Sequence, residues 1–594
     1  AVLGDLTPVM GGYCDAPWDA SLEQLPPNKN YLFSTVRNDG NIGSDYAPGM
    51  ELSFDKDAYP YLTAELGGGL QVTHRRRPRV TAEDIGVMSV CKMGSGCNLL
   101  GYYMYHGGTN PEGKFSTLQE STAVGSFCDV PELSYDFQAP IREYGQISET
   151  AKELKLLSMF AHDYGETFCN MGPQFFGDDC RAEQSAENKN PCGSESEQKT
   201  RSCEKCVNET VAYAKSSEFA EKSVSVHIGD FQDAEDLSAF RMITRRNVDH
   251  GYLFVNNYQR GYEMAEHKDV ILEVQTANGT ISFPKQDIKN GDYFFYPFNF
   301  PLSNDVTLRW INQTPLCNIN QKLWFFYGKD KMQYEADCEL TNQVLISMDR
   351  TWAKNAWRMK KYLNILFFSE APILEAEDGI EAICRSDRAQ KNCWMIMDTS
   401  AEHADQWIAN GWKKSDTMPE FLHVEGDISA ICVLSHDLTT AYDQTVVSFT
   451  DTDVNDSIIP EEKNVSHRAE KAEISVPETC ETDDTGKAYQ EYTIQISYNK
   501  TYDALKENIF LQIEFQADRA ELYLKGEKIA DQYYIGDIWE IGLKRFSFPA
   551  KLTLRLYPLE KHDKIYLETQ PDYVNGRCCS LHDIRCVYEN KEEL

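Results

Sequence analysis

Positive charge is what this sequence is shortest of. Its 594 residues hold 58 Lys and Arg against 93 Asp and Glu, a formal net charge of −35. A surface of that sign repels phosphate backbones, so nucleic acid is not an expected partner. Long apolar runs are missing too. None approaches the roughly eighteen residues of a membrane helix, and no membrane partner is expected. No leader segment is legible; the chain opens at Ala1 without Met, inside what reads as a loop. We expect an upstream segment to be missing, and both a cytoplasmic and a secreted location stay open. The 18 cysteines lack a paired zinc signature. Cys91, Cys97, Cys317 and Cys432 stand singly in apolar runs and read as small buried hydrophobes. Cys169, Cys180, Cys192, Cys203 and Cys206 crowd one polar stretch, where Cys203 and Cys206 have zinc-pair or disulfide spacing. A staple there stays open, but no metal site and no cofactor is assigned. Asn-x-Ser/Thr triplets at Asn208, Asn278, Asn312, Asn455, Asn464 and Asn499 are candidate glycan acceptors. No solenoid repeat is present.

What remains is globular composition, 41% hydrophobic and 12% aromatic, in a chain long enough for several domains. The early part alternates strand and helix. "YPYLTAE" is an apolar run. "TAEDIGVMSVCKMGSG" follows with a capping pattern, Thr81 then Asp84, and Gly94 as a stop. "CNLLGYYMYHGGTN" is a second apolar run ending in polar residues. "ISETAKELKLLSMFAHDYG" is an amphipathic helix capped by Ser148 or Thr150, with Ala151, Leu154, Leu157 and Ala161 in one stripe and Gly165 at its end. Strands alternating with helices imply parallel pairing and right-handed crossovers. In "YPYLTAELGGGLQVTHRRRP", Glu65 ends an apolar run before Gly67, Gly68 and Gly69 and the basic cluster His74 to Arg77. A carboxylate so placed suits catalysis or an ordinary surface. Beyond residue 240 short strands and turns dominate, and "RAELYLKGEKIADQYY" reads as a hairpin turning at Lys525-Gly526.

"GYYMYHGGTNP" and "SYDFQAPIREYGQI" resemble the end of the catalytic barrel of glycoside hydrolase family 35, the β-galactosidases. "PYLTAELGGG" stands where that family keeps its nucleophilic glutamate, at the end of barrel strand 7. "VMGGYCDAPWD", "YLFVNNYQR", "DYFFYPFN" and "IWEIGLKRF" look like a bacterial branch. The resemblance implies that Glu65 is the nucleophile of a retaining glycosidase, which needs a second carboxyl group about 5–5.5 Å away. Arg75 to Arg77 could lower its proton affinity, or form a solvated loop. Glu83, at a helix start, and Asp136, shaping a loop, compete for Glu65's role. The resemblance also implies Tyr103, Tyr135 and Phe137 as galactose contacts; Phe137 replaces the family's Tyr and loses a hydroxyl. The glycines replace a Trp found in many relatives and are expected to let the loop turn away from the sugar.

The family's acid/base Glu sits in an Asn-Glu pair upstream, and none precedes Glu65; Asn208-Glu209 lies downstream. The expected fold class is therefore multidomain, a truncated C-terminal end of a (β/α)8 barrel followed by mostly antiparallel β-sandwich or jelly-roll domains. The expected divisions are the barrel portion at 1–165, a polar cysteine-bearing insertion at 166–240, β domains at 241–345 and 346–475, and a galactose-binding-like jelly roll at 476–594 that folds alone. Residues 452–488 read as a linker, and Trp539 and Tyr534 as core aromatics or a sugar platform. The expected function is exo-β-galactosidase, this portion lacking the acid/base, with a galactoside oligosaccharide or glycoconjugate as partner. The alternatives are a related exo-glycosidase, such as a β-glucosaminidase, and a non-catalytic carbohydrate-binding or scaffold protein.

Overall fold

The computed structural model describes residues 11–35, 37, 60–111, 129–175, 233–377, 379–388, 392–399, 404–438, 481–483, 486–498 and 500–594, with the backbone alone of 212–216 and most of 446–451. The cysteines at 180, 192, 203 and 206, the Asn208-Glu209 pair, and the triplets at Asn455, Asn464 and Asn499 lie outside them.

The early part forms a strand-helix-strand unit. Strand β1, Tyr61–Gly67, is followed by the short strand β2, Arg76–Arg77, helix α1, Ala82–Gly94, and strand β3, Cys97–Tyr103. β1 and β3 pair in parallel, Leu66 against Tyr102 and Gly67 against Tyr103. Residues 11–12 run alongside β1: Gly11 and Gly12 N–H donate to the Glu65 carbonyl at 3.1 and 3.3 Å, and Gly67 N–H to Gly12 at 2.9 Å. α1 begins with the expected capping box, Thr81 Oγ1 accepting from Asp84 N–H and Asp84 from Thr81 N–H. The short strands β4, Gly108–Thr109, and β5, Ser134–Tyr135, pair antiparallel.

Helix α2, Glu149–Cys169, is capped by Ser148 and runs past Gly165. Its buried stripe continues through Phe160, Tyr164 and Phe168, while Ala161 is exposed. Tyr164 packs against Phe300, and beyond Gly165 Phe168 packs against Tyr252 and Phe254, which carries the helix past its expected end.

The rest is mostly β-structure, with short helices at Arg350–Lys354 and Ala404–Ala409. Antiparallel strands Gly251–Asn257 and Asp292–Pro301 lie at the centre of a six-stranded sheet. The stretch 166–240 is not merely an irregular insertion. Gly172–Gln174 pairs with Arg241–Arg246, and Ala212–Ser216 pairs with His267–Thr276. The divisions at 345/346 and 475/476 also cut through sheets. Val344–Met348 is one strand, paired with His423–Glu425, and Ile380–Arg385 pairs with the C-terminal strand Ser580–Glu593. Residues 476–594 therefore share both a sheet and an apolar core with the preceding segment: Ile373, Ala382 and Met395 pack in one cluster with Leu511, Leu522 and Leu554. Glu481–Thr482 and Ala488 are in strands rather than linker. The hairpin turns at Lys525 (φ 54°) and Gly526 (φ 89°), as a turn needing positive φ at both central residues requires. Trp539 and Tyr534 are core residues. Asn278 lies at an exposed turn; Asn312 is buried, with its amide bonded to Lys331 O and Gln333 N–H, and cannot accept a glycan there.

Asp84 does more than cap. It is fully buried and accepts from Tyr258 Oη and Arg260 Nη1, each at 2.5 Å. Thr81→Ala should cost about 1 kcal/mol. Asp84→Ala should cost roughly 3–5 kcal/mol, because it leaves the Arg260 guanidinium buried beside a lost partner. Urea midpoints measure both, and equal losses would show that the neighbouring Asp15 and Glu568 suffice for Arg260.

Candidate active site

Glu65 lies near the C-terminal end of β1, where the register with β3 slips between Thr63 and Leu66. Such irregularities re-aim a side chain out of a strand's regular alternation. Tyr13 Oη donates to Glu65 Oε1 at 2.7 Å. Burial, reinforced by the hydrogen bond to Glu65, pushes the Tyr13 phenol well above its ordinary value, so it remains a donor. Oε2 of Glu65 has no hydrogen-bond partner among the described residues.

Beside it the aromatic rings form a continuous wall. Tyr13 meets Trp18 and Tyr103 edge-on, with centroids 5.4 and 6.4 Å apart. Tyr103 meets Phe137 at 6.0 Å, and Phe137 meets Tyr135 at 4.4 Å. The Tyr103 and Tyr135 hydroxyls are hydrogen-bonded at 2.9 Å. The three sequence-assigned contacts, Tyr103, Tyr135 and Phe137, thus lie together, and Tyr13 links them to Glu65. Tyr13 and Trp18 were missed as site residues, although both stand in "VMGGYCDAPWD", a motif already singled out.

The two competing carboxylates are otherwise engaged. Glu83 faces Lys354 at 3.4 Å in the first turn of α1. Asp136 accepts from Glu143 N–H at 2.7 Å, Gln138 N–H at 3.1 Å and Arg142 Nε at 2.6 Å, closing the loop that carries Phe137.

The glycines and arginines act differently from expectation. Gly67 to Gly69 are buried and make room for protein. A Cβ on Gly67 would meet the Tyr13 ring at 2.5 Å, and one on Gly69 the Phe137 carbonyl at 2.3 Å. Arg76 and Arg77 do not form a solvated loop. Both are buried: Arg76 bonds Asp15 at 2.9 Å and stacks on Tyr566, and Arg77 bonds Asp518 at 2.5 Å and lies over Tyr533. β2 pairs with Tyr566–Leu567, so the cluster clamps the early unit to the C-terminal sheets.

A cavity of about 1390 Å³ adjoins the wall, lined by Tyr13 and Trp18 but not by Glu65, Tyr103 or Tyr135. Within its lining Arg260 gathers three carboxylates, at 2.5 Å from Asp84, 2.6 Å from Glu568 and 3.6 Å from Asp15.

Residues 6–160 match the family model of glycosyl hydrolases family 35. The match runs from ahead of Tyr13 into α2 and includes Glu65 and every ring of the wall. It supports a glycoside hydrolase. The motifs "YLFVNNYQR", "DYFFYPFN" and "IWEIGLKRF" lie beyond it. No curated protein matches the chain significantly.

Glu143, beside the wall's Ser134, is a buried carboxyl whose proton affinity is raised. Burial pushes Glu143 up from 4.5 to about 7, against the hydrogen bonds from Thr109 and Ser134. Between those values the folded chain keeps a proton that the unfolded chain releases, so stability falls as pH rises through this window, by about 3 kcal/mol. The wild-type minus Glu143→Gln difference in urea stability should show that slope, and a flat difference would refute it. Gly69→Ala should cost about 1–3 kcal/mol or more through overpacking. Gly68→Ala should cost less, because its nearest neighbour, Met104 O, is 3.1 Å away. Thermal melts of the two variants rank them.

Proposed function

We propose that Glu65 is the nucleophile of a retaining exo-β-galactosidase site. The observation that carries this reading is one carboxylate at the end of a parallel strand, held at Oε1 by Tyr13 with Oε2 open, beside a wall of four further rings. Oε2 attacks the anomeric carbon and forms a glycosyl ester as the glycosidic C–O bond breaks. The leaving oxygen takes a proton from a second carboxyl group, which then draws a proton from the water that cleaves the ester. Tyr13 keeps Glu65 oriented and donates to it throughout. The rings offer apolar surface to the face of a pyranose, and the Tyr103–Tyr135 hydroxyl pair offers it hydrogen bonds. The substrate class is a terminal β-galactoside of an oligosaccharide or glycoconjugate.

Glu143 does not serve as the second carboxyl. Its oxygens are occupied by Thr109 and by Ser134 at 2.8 Å, with Arg545 at 3.6 Å. An unactivated alkyl β-galactoside, which needs a proton on its leaving oxygen, should therefore be released at background rate by these 594 residues. A 2,4-dinitrophenyl 2-deoxy-2-fluoro-β-galactoside needs no such proton and isolates the nucleophilic step. It should leave a covalent fluorogalactosyl group on the peptide holding Glu65, and Glu65→Gln should lose the label. A label on another carboxylate, or none, overturns the assignment. Saturable galactoside binding without a label would instead favour a carbohydrate-binding protein, and faster labelling by the 2-acetamido analogue a related exo-glycosidase.

A further inference from the structure

Tyr135 and Phe137 come from a stretch with little regular structure of its own. Strands β4 and β5 pair over only two positions, Gly108 with Tyr135 and Thr109 with Ser134. Directly afterwards Phe137 (φ 54°) and Gln138 (φ 51°) are both left-handed, a conformation costly for non-glycine residues that persists only when the surroundings impose it. Phe137 and Gln138 are held by nearby segments, with Leu70 N–H on the Phe137 carbonyl and Gln138 bonded to Pro78 O and Val80 N–H, whereas the residues just before Tyr135 are held from about four hundred positions later in the chain.

The strand Glu527–Tyr533 supplies Asp531, a buried carboxylate that collects three consecutive main-chain N–H groups. Oδ2 accepts from Glu132 at 2.6 Å, and Oδ1 from Leu133 at 3.0 Å and Ser134 at 2.9 Å. From a second direction comes Arg545. Its guanidinium donates to Thr109 Oγ1 at 2.5 Å and to the Glu143 carbonyl at 2.9 Å, and lies over the Tyr144 ring. Glu143 in turn accepts from Ser134 Oγ and Thr109 Oγ1. Ser134 is thus fixed through both its N–H and its hydroxyl, and the next residue is Tyr135.

We propose that Asp531 and Arg545 are positioning residues for the sugar-facing wall: they set the placement of Tyr135, and through its hydroxyl that of Tyr103, from the C-terminal sheets. The inference rests on the galactosidase reading for its functional meaning but not for its geometry. Neither residue touches Glu65, and neither is needed to pair a buried cation. Lys528, beside Asp531, keeps Glu132 and Glu521 as partners when Asp531 is changed.

The test uses the full chain with 3-fluorotyrosine placed at position 135 alone, or at 252 alone as a remote control. In Asp531→Ala the fluorine resonance at 135 should move and broaden, the resonance at 252 should stay, and amide exchange at 132–135 should quicken by about tenfold or more, the consequence of losing buried hydrogen bonds. Asp531→Asn, which keeps one acceptor oxygen, should restore part of the protection. Arg545→Met alters a side chain that is 41% exposed, so it serves if Asp531→Ala fails to fold, and it should move the resonance at 135 as well. An unchanged resonance at 135 in Asp531→Ala, or in Arg545→Met should that variant have to serve, overturns the proposal. The rate of labelling by the activated fluorogalactoside should also fall in both variants, and normal labelling despite a displaced Tyr135 overturns the positioning role. Failure of the galactosidase reading shows separately, as absence of label in the unsubstituted chain.

Discussion

The parallel ladder between Tyr61–Gly67 and Cys97–Tyr103 is the constraint on which the site depends. It sets the end of β1 beside the end of β3, so that the carboxylate of one strand and the aromatic of the other share a rim. Parallel strands cannot be joined by a tight turn and need a crossover. Here α1 provides it, nearly all of its length buried against the sheets behind. Register is specified because one face of the ladder is packed, and a one-residue slip would turn Glu65 and Tyr103 to other surroundings. The irregularity between Thr63 and Leu66 is one of two departures from that ladder, and it coincides with Glu65.

Around this unit the chain uses buried arginine where a simpler fold would use apolar contact. Arg76, Arg77 and Arg260 each place a planar guanidinium between segments remote in sequence, paired to Asp15, Asp518 and Asp84. Paired burial of this kind adds little net stability compared with a good apolar core, but breaking one partner is costly. Such pairs hold a relative orientation, which is what a site assembled from distant parts requires. Asp531 on the main chain of residues 132–134 works in the same way with neutral donors.

Much of the local structure was legible beforehand because its signals are local. Thr81 and Asp84 cap a helix wherever the chain carries them, and Ser148 does the same for α2. Lys525-Gly526 turns because one residue tolerates and the other prefers positive φ. The expected stop at Gly165 failed, because ring packing by Tyr164 and Phe168 outweighs a single glycine's weak preference. The domain divisions at 345/346 and 475/476 failed for a different reason. Composition changes along the chain, whereas Ile380–Arg385 finds its partner at Ser580–Glu593 by sheet pairing, which leaves no mark in composition.

The same distinction runs through the site. The sequence by itself determined the chemical groups: Glu65 at the end of an apolar strand, the hydroxyls of Tyr103 and Tyr135, the ring of Phe137, and the glycines that admit close contact. Only the tertiary structure decided what those groups meet. It filled the space over Gly67 with Tyr13, paired Arg76 and Arg77 with Asp15 and Asp518, and hung the Tyr135 stretch on Asp531 and Arg545. Side-chain chemistry and backbone preference are properties of a few neighbouring residues. The partners of a buried charge or an unpaired N–H are settled by whichever distant segment the core brings within hydrogen-bond reach.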